Sequence, residues 1–393
     1  MKPLFLIFVF NVLLFTNSFS QNWNQEWEKR SNYPKQDYFT DVCEANNGDL
    51  IVLGECGANK FADIWLLRYN QQGDTLWTNT VGTQGFDQPE KIVCSPNDDI
   101  LVLGKTGTGD TAKVLLSRTD LNGNILWQKT LDDGNYYKAD DITALPNNGF
   151  VVSGAKSSDP RTPHLWMARM DENGNLLWEH VFSEELKGCL TSVKQLPNKD
   201  FILSGQVNGK ALNDCDILII RTDENGNEIW RNRIDAPKSK EWPECVCCSP
   251  DSCFVLVGWA GSCLNDINDE NAVFDFDLVI KKISYDGKVV WTKNIDSEGS
   301  EGGNAITIRP DGNFLVAGTK LTSFTGNIGP WLLEIDNKGN VVDELTLNMK
   351  LDQASKIINT SDGGFVVIGP GFHERINRYS DGWILKFSKL PVQ

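Results

Sequence analysis

Histidine is scarce in this 393-residue chain, with three copies, and methionine nearly so, with four. His164, His180 and His373 fall in different parts of the sequence, so no ligand set follows from their spacing. His164 stands where Asp opens comparable segments, which reads as a positional role. Basic residues are outnumbered, 37 Lys and Arg against 53 Asp and Glu, for a net charge of −16. Such a surface repels phosphate backbones and anionic lipid heads, which argues against nucleic-acid and membrane partners and leaves cationic and neutral ones. Helical periodicity is missing, and after residue 21 no apolar run is long enough to span a bilayer. Gly-x-Ser-x-Gly and His-Glu-x-x-His signatures are absent, so no motif assigns catalysis. GKTGTGD (Gly104–Asp110) lacks the Gly-x-x-x-x-Gly-Lys spacing and leads into a strand pattern, which excludes a phosphate loop.

What is present begins with an export signal. Lys2 precedes the apolar LFLIFVFNVLLF, and the small polar TNSFSQ follows, so residues 1–20 read as a removable signal peptide. No Cys follows the expected cleavage point, which argues against a lipid anchor. The expected mature chain of 393 − 20 = 373 residues is secreted, periplasmic or on the outer cell surface. Ten Cys in such a chain read as disulfides. ECVCCSPDSC (Glu244–Cys253) lacks the paired Cys-x-x-Cys of zinc or iron–sulfur sites, so Cys248–Cys253 is expected across a hairpin. Cys245–Cys263 and Cys189–Cys215 are expected to fasten loops.

Length alone would allow two or three domains. An internal period replaces them with one, covering residues 21–393. DVCEANNGDLIVLG (Asp41–Gly54) recurs without gaps in blocks that start at 91, 141, 192, 245, 305 and 356, giving steps of 50, 50, 51, 53, 60 and 51. Each block holds a polar turn between two β-rich runs, the second nearly all apolar, as in a strand covered on both faces. A variable loop and a third run follow (DIWLLRY, HLWMARM, DILIIRT), then a tight turn and a fourth run that usually ends in Trp. Four strands per unit predict an all-β, seven-bladed β-propeller with four antiparallel strands per blade. The seventh unit stops after its third strand, and NWNQEWEKR (Asn22–Arg30) supplies the missing fourth. The N-terminal strand is thus expected to complete the last blade and close the ring.

The turn phrases DLNGNILW (Asp120–Trp127), DENGNLLW (Asp171–Trp178) and DENGNEIW (Asp223–Trp230) look at first like calcium loops. A calcium loop needs Gly at the sixth position and a carboxylate at the twelfth, and these have Gly fourth and Leu131, Phe182 and Ile234 twelfth. Self-capping Asp turns fit instead. With their terminal Trp these units resemble the tryptophan-docking repeats of quinoprotein alcohol-dehydrogenase-like propellers, and the repeat propellers of secreted bacterial proteins. The resemblance implies blade docking by Trp27, Trp77, Trp127, Trp178, Trp230 and Trp291, while GNVVDELTL in the sixth unit has Asp343 there.

In a propeller of this topology the second-to-third loops and the crossovers between blades share one variable face, where binding residues are expected. The fifth-unit stretch WAGSCLNDINDENAVFDFD offers Trp259, Asp266, Asp269 and Asp275, with Glu270 and Asp277 beside them. Its carboxylates could hold calcium, though a solvated acidic loop is the simpler reading, and no cofactor is otherwise expected. The seventh-unit stretch PGFHERINRYSD offers Phe372, His373, Arg375 and Tyr379. The expected function is a monomeric binding or scaffold propeller for a protein or glycan. The alternative is an exported enzyme: a quinone-dependent dehydrogenase, or a polysaccharide hydrolase or lyase.

Overall fold

The computed structural model describes residues 23–31, 37–57, 62–182, 186–208, 214–234, 239–264, 274–296, 300–322, 327–347, 349, 352–373 and 378–389. The expected signal peptide lies outside them. Among the described residues the chain forms 28 strands and one 3-10 turn, Gly109–Thr111. No helix among them is long and apolar enough to cross a membrane.

Each of the first six repeats makes a meander of four antiparallel strands. In the first, Asp37–Glu44, Leu50–Cys56, Asp63–Tyr69 and Thr75–Val81 pair in that order. Leu50–Cys56 is buried nearly throughout, as its unbroken apolar run requires, whereas Thr75–Val81 is mostly exposed. The sheets of the fourth and fifth repeats are linked by one parallel bridge, Cys215 to Lys240. In the last sheet, Lys356–Asn359, Phe365–His373 and Arg378–Lys389 are completed by Trp23–Arg30, from the other end of the chain. First strands of successive repeats touch, and Lys356–Asn359 of the seventh touches Asp37–Glu44 of the first.

The turn inside each block recurs with one residue in left-handed geometry. That residue is Gly48, Gly312 or Gly363 in three repeats, but Asp98, Asn148, Lys199 and Ser252 in the others. The outer turns are built as their Asp residues suggest. Asp120 Oδ1 accepts from the Asn122 and Asn124 backbone N–H at 2.9 and 2.8 Å, and Asp171 and Asp223 repeat the pattern.

The disulfide expectations are overturned. Among the described residues one bridge is formed, Cys43–Cys94, with Cα atoms 5.9 Å apart, and it joins the first strands of repeats one and two. Cys189, Cys215, Cys245, Cys248 and Cys253 are thiols. Cys189 and Cys215 lie on strands that flank Phe201–Asn208 on opposite sides, so two strand spacings, about 9.6 Å, separate them, beyond disulfide reach. Cys248 faces Phe254, which leaves Cys253 inside the turn. Cys245 faces Val257, six residues or about 20 Å along the strand from Cys263. Cys43 and Cys94 hold the third and fourth block positions in adjacent repeats. Cys247 and Cys248 hold the same two positions within one repeat, and their counterparts next door are Ile308 and Lys194.

Candidate functional site: the cavity between the first strands

Six of the first strands carry a bulge one residue before the repeat block, at Thr40, Glu90, Asp140, Thr191, Glu244 and Asn304. A bulge leaves the extra residue unpaired and re-aims its side chain. Four of these side chains, Glu90, Asp140, Thr191 and Glu244, line a cavity of 410 Å³ where the first strands converge. Lys91, Lys138, Gln206 and Trp242 complete most of its wall.

Most of the charges there are paired. Glu90 Oε1 lies 3.2 Å from Lys105 Nζ, and Asp140 Oδ1 lies 2.9 Å from Lys138 Nζ. The Cys189 thiol donates to Asp140 Oδ2 at 2.7 Å. Burial and the neighbouring Asp140 hold that thiol well above its ordinary pKa, so it acts as a donor. Burial also raises the carboxyl of Glu90 against the pull of Lys105. The Glu244 carboxyl, open to the cavity, is likewise raised by burial, with Lys91 opposing and Asp140 adding. Thr191 Oγ1 donates to Pro243 O at 2.6 Å, which ties repeats four and five at the rim. Trp242 stacks on Phe276 with centroids 5.4 Å apart at 25°, and Trp259 meets the same ring edge-on at 6.4 Å.

Beneath the rim lies a second layer of charge. Asp41 Oδ2 accepts from the Ile92 N–H at 3.1 Å and Asp141 Oδ2 from the Val193 N–H at 2.9 Å, so each ties one first strand to the next. Lys356 pairs with Asp41 and Lys194 with Asp141, both at 3.0 Å. Burial opposes ionisation of Asp141, but Lys194, Lys91 and Lys356 together hold its carboxyl below the usual range.

The residues expected from the sequence lie mostly elsewhere. Trp259 sits on the strand Phe254–Cys263, and its indole N–H donates to Asn304 Oδ1 at 3.3 Å, inside the contact between repeats five and six. Asp275 is exposed opposite Ser262. Asp266, Asp269, Glu270 and Arg375 lie outside the described residues. Phe372 pairs with Tyr379 and His373 with Arg378 across a hairpin, but their side chains are outside the described set. Asp277 meets Asp296 and Glu301, with ligand atoms within 4.8 Å of one another. The three come from two repeats, so reading one loop could not have grouped them. The cavity residues were missed for a similar reason. Their signal is a carboxylate just before the block in three of seven copies, which only a bulge turns toward the cavity.

The tryptophans lie where successive sheets meet. Trp27 packs on Gly73, Trp77 on Gly123 and Trp127 on Gly174; Trp178 packs on Gly226, Trp230 on Gly287 and Trp291 on Gly339. Each Gly belongs to the outer turn of the following repeat. In the last sheet the third and fourth strands come from opposite ends of the chain, so no turn joins them. The position that would dock on such a turn is Asp343.

No family model matches the chain, and no curated protein matches it in sequence. Solved structures do match in fold. Polysaccharide lyase Uly1 aligns with TM-score 0.60 at 10% identity, over 93% of this chain and 100% of its own. The Neurospora crassa Pan2 WD40 domain aligns with TM-score 0.56 at 10% identity, over 96% and 98%. Penicillium chrysogenum α-L-arabinanase, complexed with arabinobiose, aligns with TM-score 0.54 at 12% identity, over 94% and 98%. The chain is therefore an all-β protein of β-propeller architecture. Identities this low carry the architecture alone.

Proposed function

We infer that this chain is an exported, monomeric, seven-bladed propeller, closed by Trp23–Arg30, that binds a glycan in its axial cavity. One observation carries the reading: three bulged carboxylates, two lysines and the Trp242 ring converge on one polar cavity. Hydroxyl-rich sugars are held by such mixed donors and acceptors, with an aromatic face beneath the ring. Two of the fold neighbours, by their names, concern polysaccharides, which is agreement by analogy of scaffold. The docking tryptophans fix the ring, and four of the six bulges present the site on rigid strands rather than on loops.

A second reading, hydrolysis or elimination at the same site, is favoured by Glu90 and Glu244. Carboxyls raised by burial retain a proton closer to neutral pH, as a general acid requires. One experiment separates the two. The mature chain is titrated calorimetrically with a panel of neutral and acidic oligosaccharides, and the same mixtures are assayed for new reducing ends and unsaturated products. Binding without products supports the binding reading, and turnover lost in Glu244→Gln supports the enzyme. If no member binds or reacts, the glycan assignment fails.

A further inference from the structure

The layer under the cavity holds three lysines, Lys91, Lys194 and Lys356, and two aspartates, Asp41 and Asp141. Lys194 and Lys356 are each committed to one Asp, at 3.0 Å. Both Asp are already spent on backbone N–H groups of the neighbouring repeat. Lys91 lines the cavity and has no hydrogen-bond or ion-pair partner among the described residues. At the rim, Glu90 is matched by Lys105 and Asp140 by Lys138. Glu244, the remaining rim carboxylate, also lacks a partner, and burial pushes it toward its neutral form. The Cys245 thiol beside the lysines donates weakly to the Val246 and Ile306 carbonyls.

Four lysines and four carboxylates are thus matched, and the two charged groups left without a direct partner, Lys91 and Glu244, face the same cavity inside a protein of net charge −16. The half-buried Lys91 ammonium feels Asp141 and Glu244 but makes no direct ion pair with either, and an ammonium left so is met best by an anion that arrives in the cavity. Lysine presents three donors on a flexible stem, which suits a carboxylate or sulfate oxygen whose approach is not fixed.

We propose that Lys91 receives a single anionic group, a uronate carboxylate or a sulfate ester, on a saccharide seated in the axial cavity. This rests on the glycan reading above. Glu244 then donates or accepts at a ring hydroxyl beside that group, and Trp242 takes the sugar face. The local field selects an acidic sugar, although the surface as a whole repels one. Association is accordingly slow at low salt and the bound state is held by the floor, the reverse of electrostatic steering.

The test uses the mature chain and its Lys91→Met and Lys91→Arg variants. Calorimetric titrations at low ionic strength compare oligogalacturonate with its methyl ester, and a sulfated oligosaccharide with its desulfated form. Wild type is expected to bind one acidic member at least tenfold tighter than its neutral twin. Lys91→Met should erase that preference, whatever its effect on the affinity for the neutral twin, and Lys91→Arg should keep it. The carboxylate and sulfate arms identify the source of the charge. Equal affinity for both twins, or a preference that survives in Lys91→Met, overturns the proposal and leaves glycan binding standing. A parallel melting series in sodium sulfate against sodium chloride covers the opposite failure. If no saccharide binds but sulfate protects wild type more than Lys91→Met, the anion site stands and the glycan reading falls. If sulfate protects both equally as well, both fall.

Discussion

The benzo ring of Trp77 lies against Gly123, so closely that a Cβ there would sit 3.1 Å from Cη2 and Cζ3 of the indole. The indole N–H donates to Leu121 O at 3.2 Å, so ring and turn are held from two sides. Gly123 has φ +80°, and Gly312 has φ +90° with nothing within 4 Å of its missing Cβ. Gly312→Ala should cost about 1 kcal/mol of backbone strain. Gly123→Ala should cost that and the displacement of Trp77 as well. Equal denaturation midpoints for the two variants would show that the Trp contact contributes nothing.

The disulfide ties the first two repeats, and its ends are 51 positions apart in sequence. Loop-closure entropy for that span is about 4 kcal/mol at most. A reductant should lower the Tm of wild type by several degrees and leave Cys43→Ser unmoved. Cys248→Ser should respond like wild type, because Cys248 is already a thiol. A wild-type Tm indifferent to reductant would contradict the bridge.

Lys199 holds φ +72°, where equivalent turns use Gly48, Gly312 and Gly363. Its contact with Glu224, at 4.0 Å between exposed groups, adds little. Lys199→Gly should therefore stabilise by about 0.5 kcal/mol. Asn148→Gly, at φ +61°, should be nearly neutral because Asn tolerates this region. Urea midpoints measure both.

Burial, with Asp296, Asp275 and Glu301 adding, pushes the Asp277 carboxyl up to about 6 from an ordinary 3.8. A raised carboxyl favours folding while protonated. Its contribution is full below about pH 4 and is lost as pH rises through 6. Asp277→Asn should flatten that slope and raise the stability at pH 7 by about 1 kcal/mol after allowing for its partial exposure, with a higher Tm. Melting curves from pH 4 to 7 read it directly. If calcium joins Asp277, Asp296 and Glu301, adding it at pH 7 should stabilise wild type and not Asp277→Asn.

The repeat made the sheets legible, because a hairpin, a third run and a Trp-ended fourth run recur at nearly constant spacing. It also located the strand that completes the last sheet, since Trp27 stands one period before Trp77. The bridge between Cys43 and Cys94 was hidden because partners in adjacent repeats are distant in sequence but side by side in first strands. The cavity was hidden for a different reason. Glu90, Asp140 and Glu244 read as ordinary alternation in a strand, and only the register shift beside each one turns it inward. The long fifth-repeat loop drew attention by its composition, yet composition does not say which carboxylates meet. Asp277 finds Asp296 and Glu301 across the crossover into the next repeat.

Calorimetric titration of a binding oligosaccharide into wild type, Glu244→Ala and Trp242→Ala tests the cavity most directly. Both side chains border the cavity, so both variants should keep the wild-type fold by circular dichroism. Affinity is predicted to fall at least tenfold in each. Wild-type affinity in both variants would place the ligand elsewhere on the molecule and contradict the account.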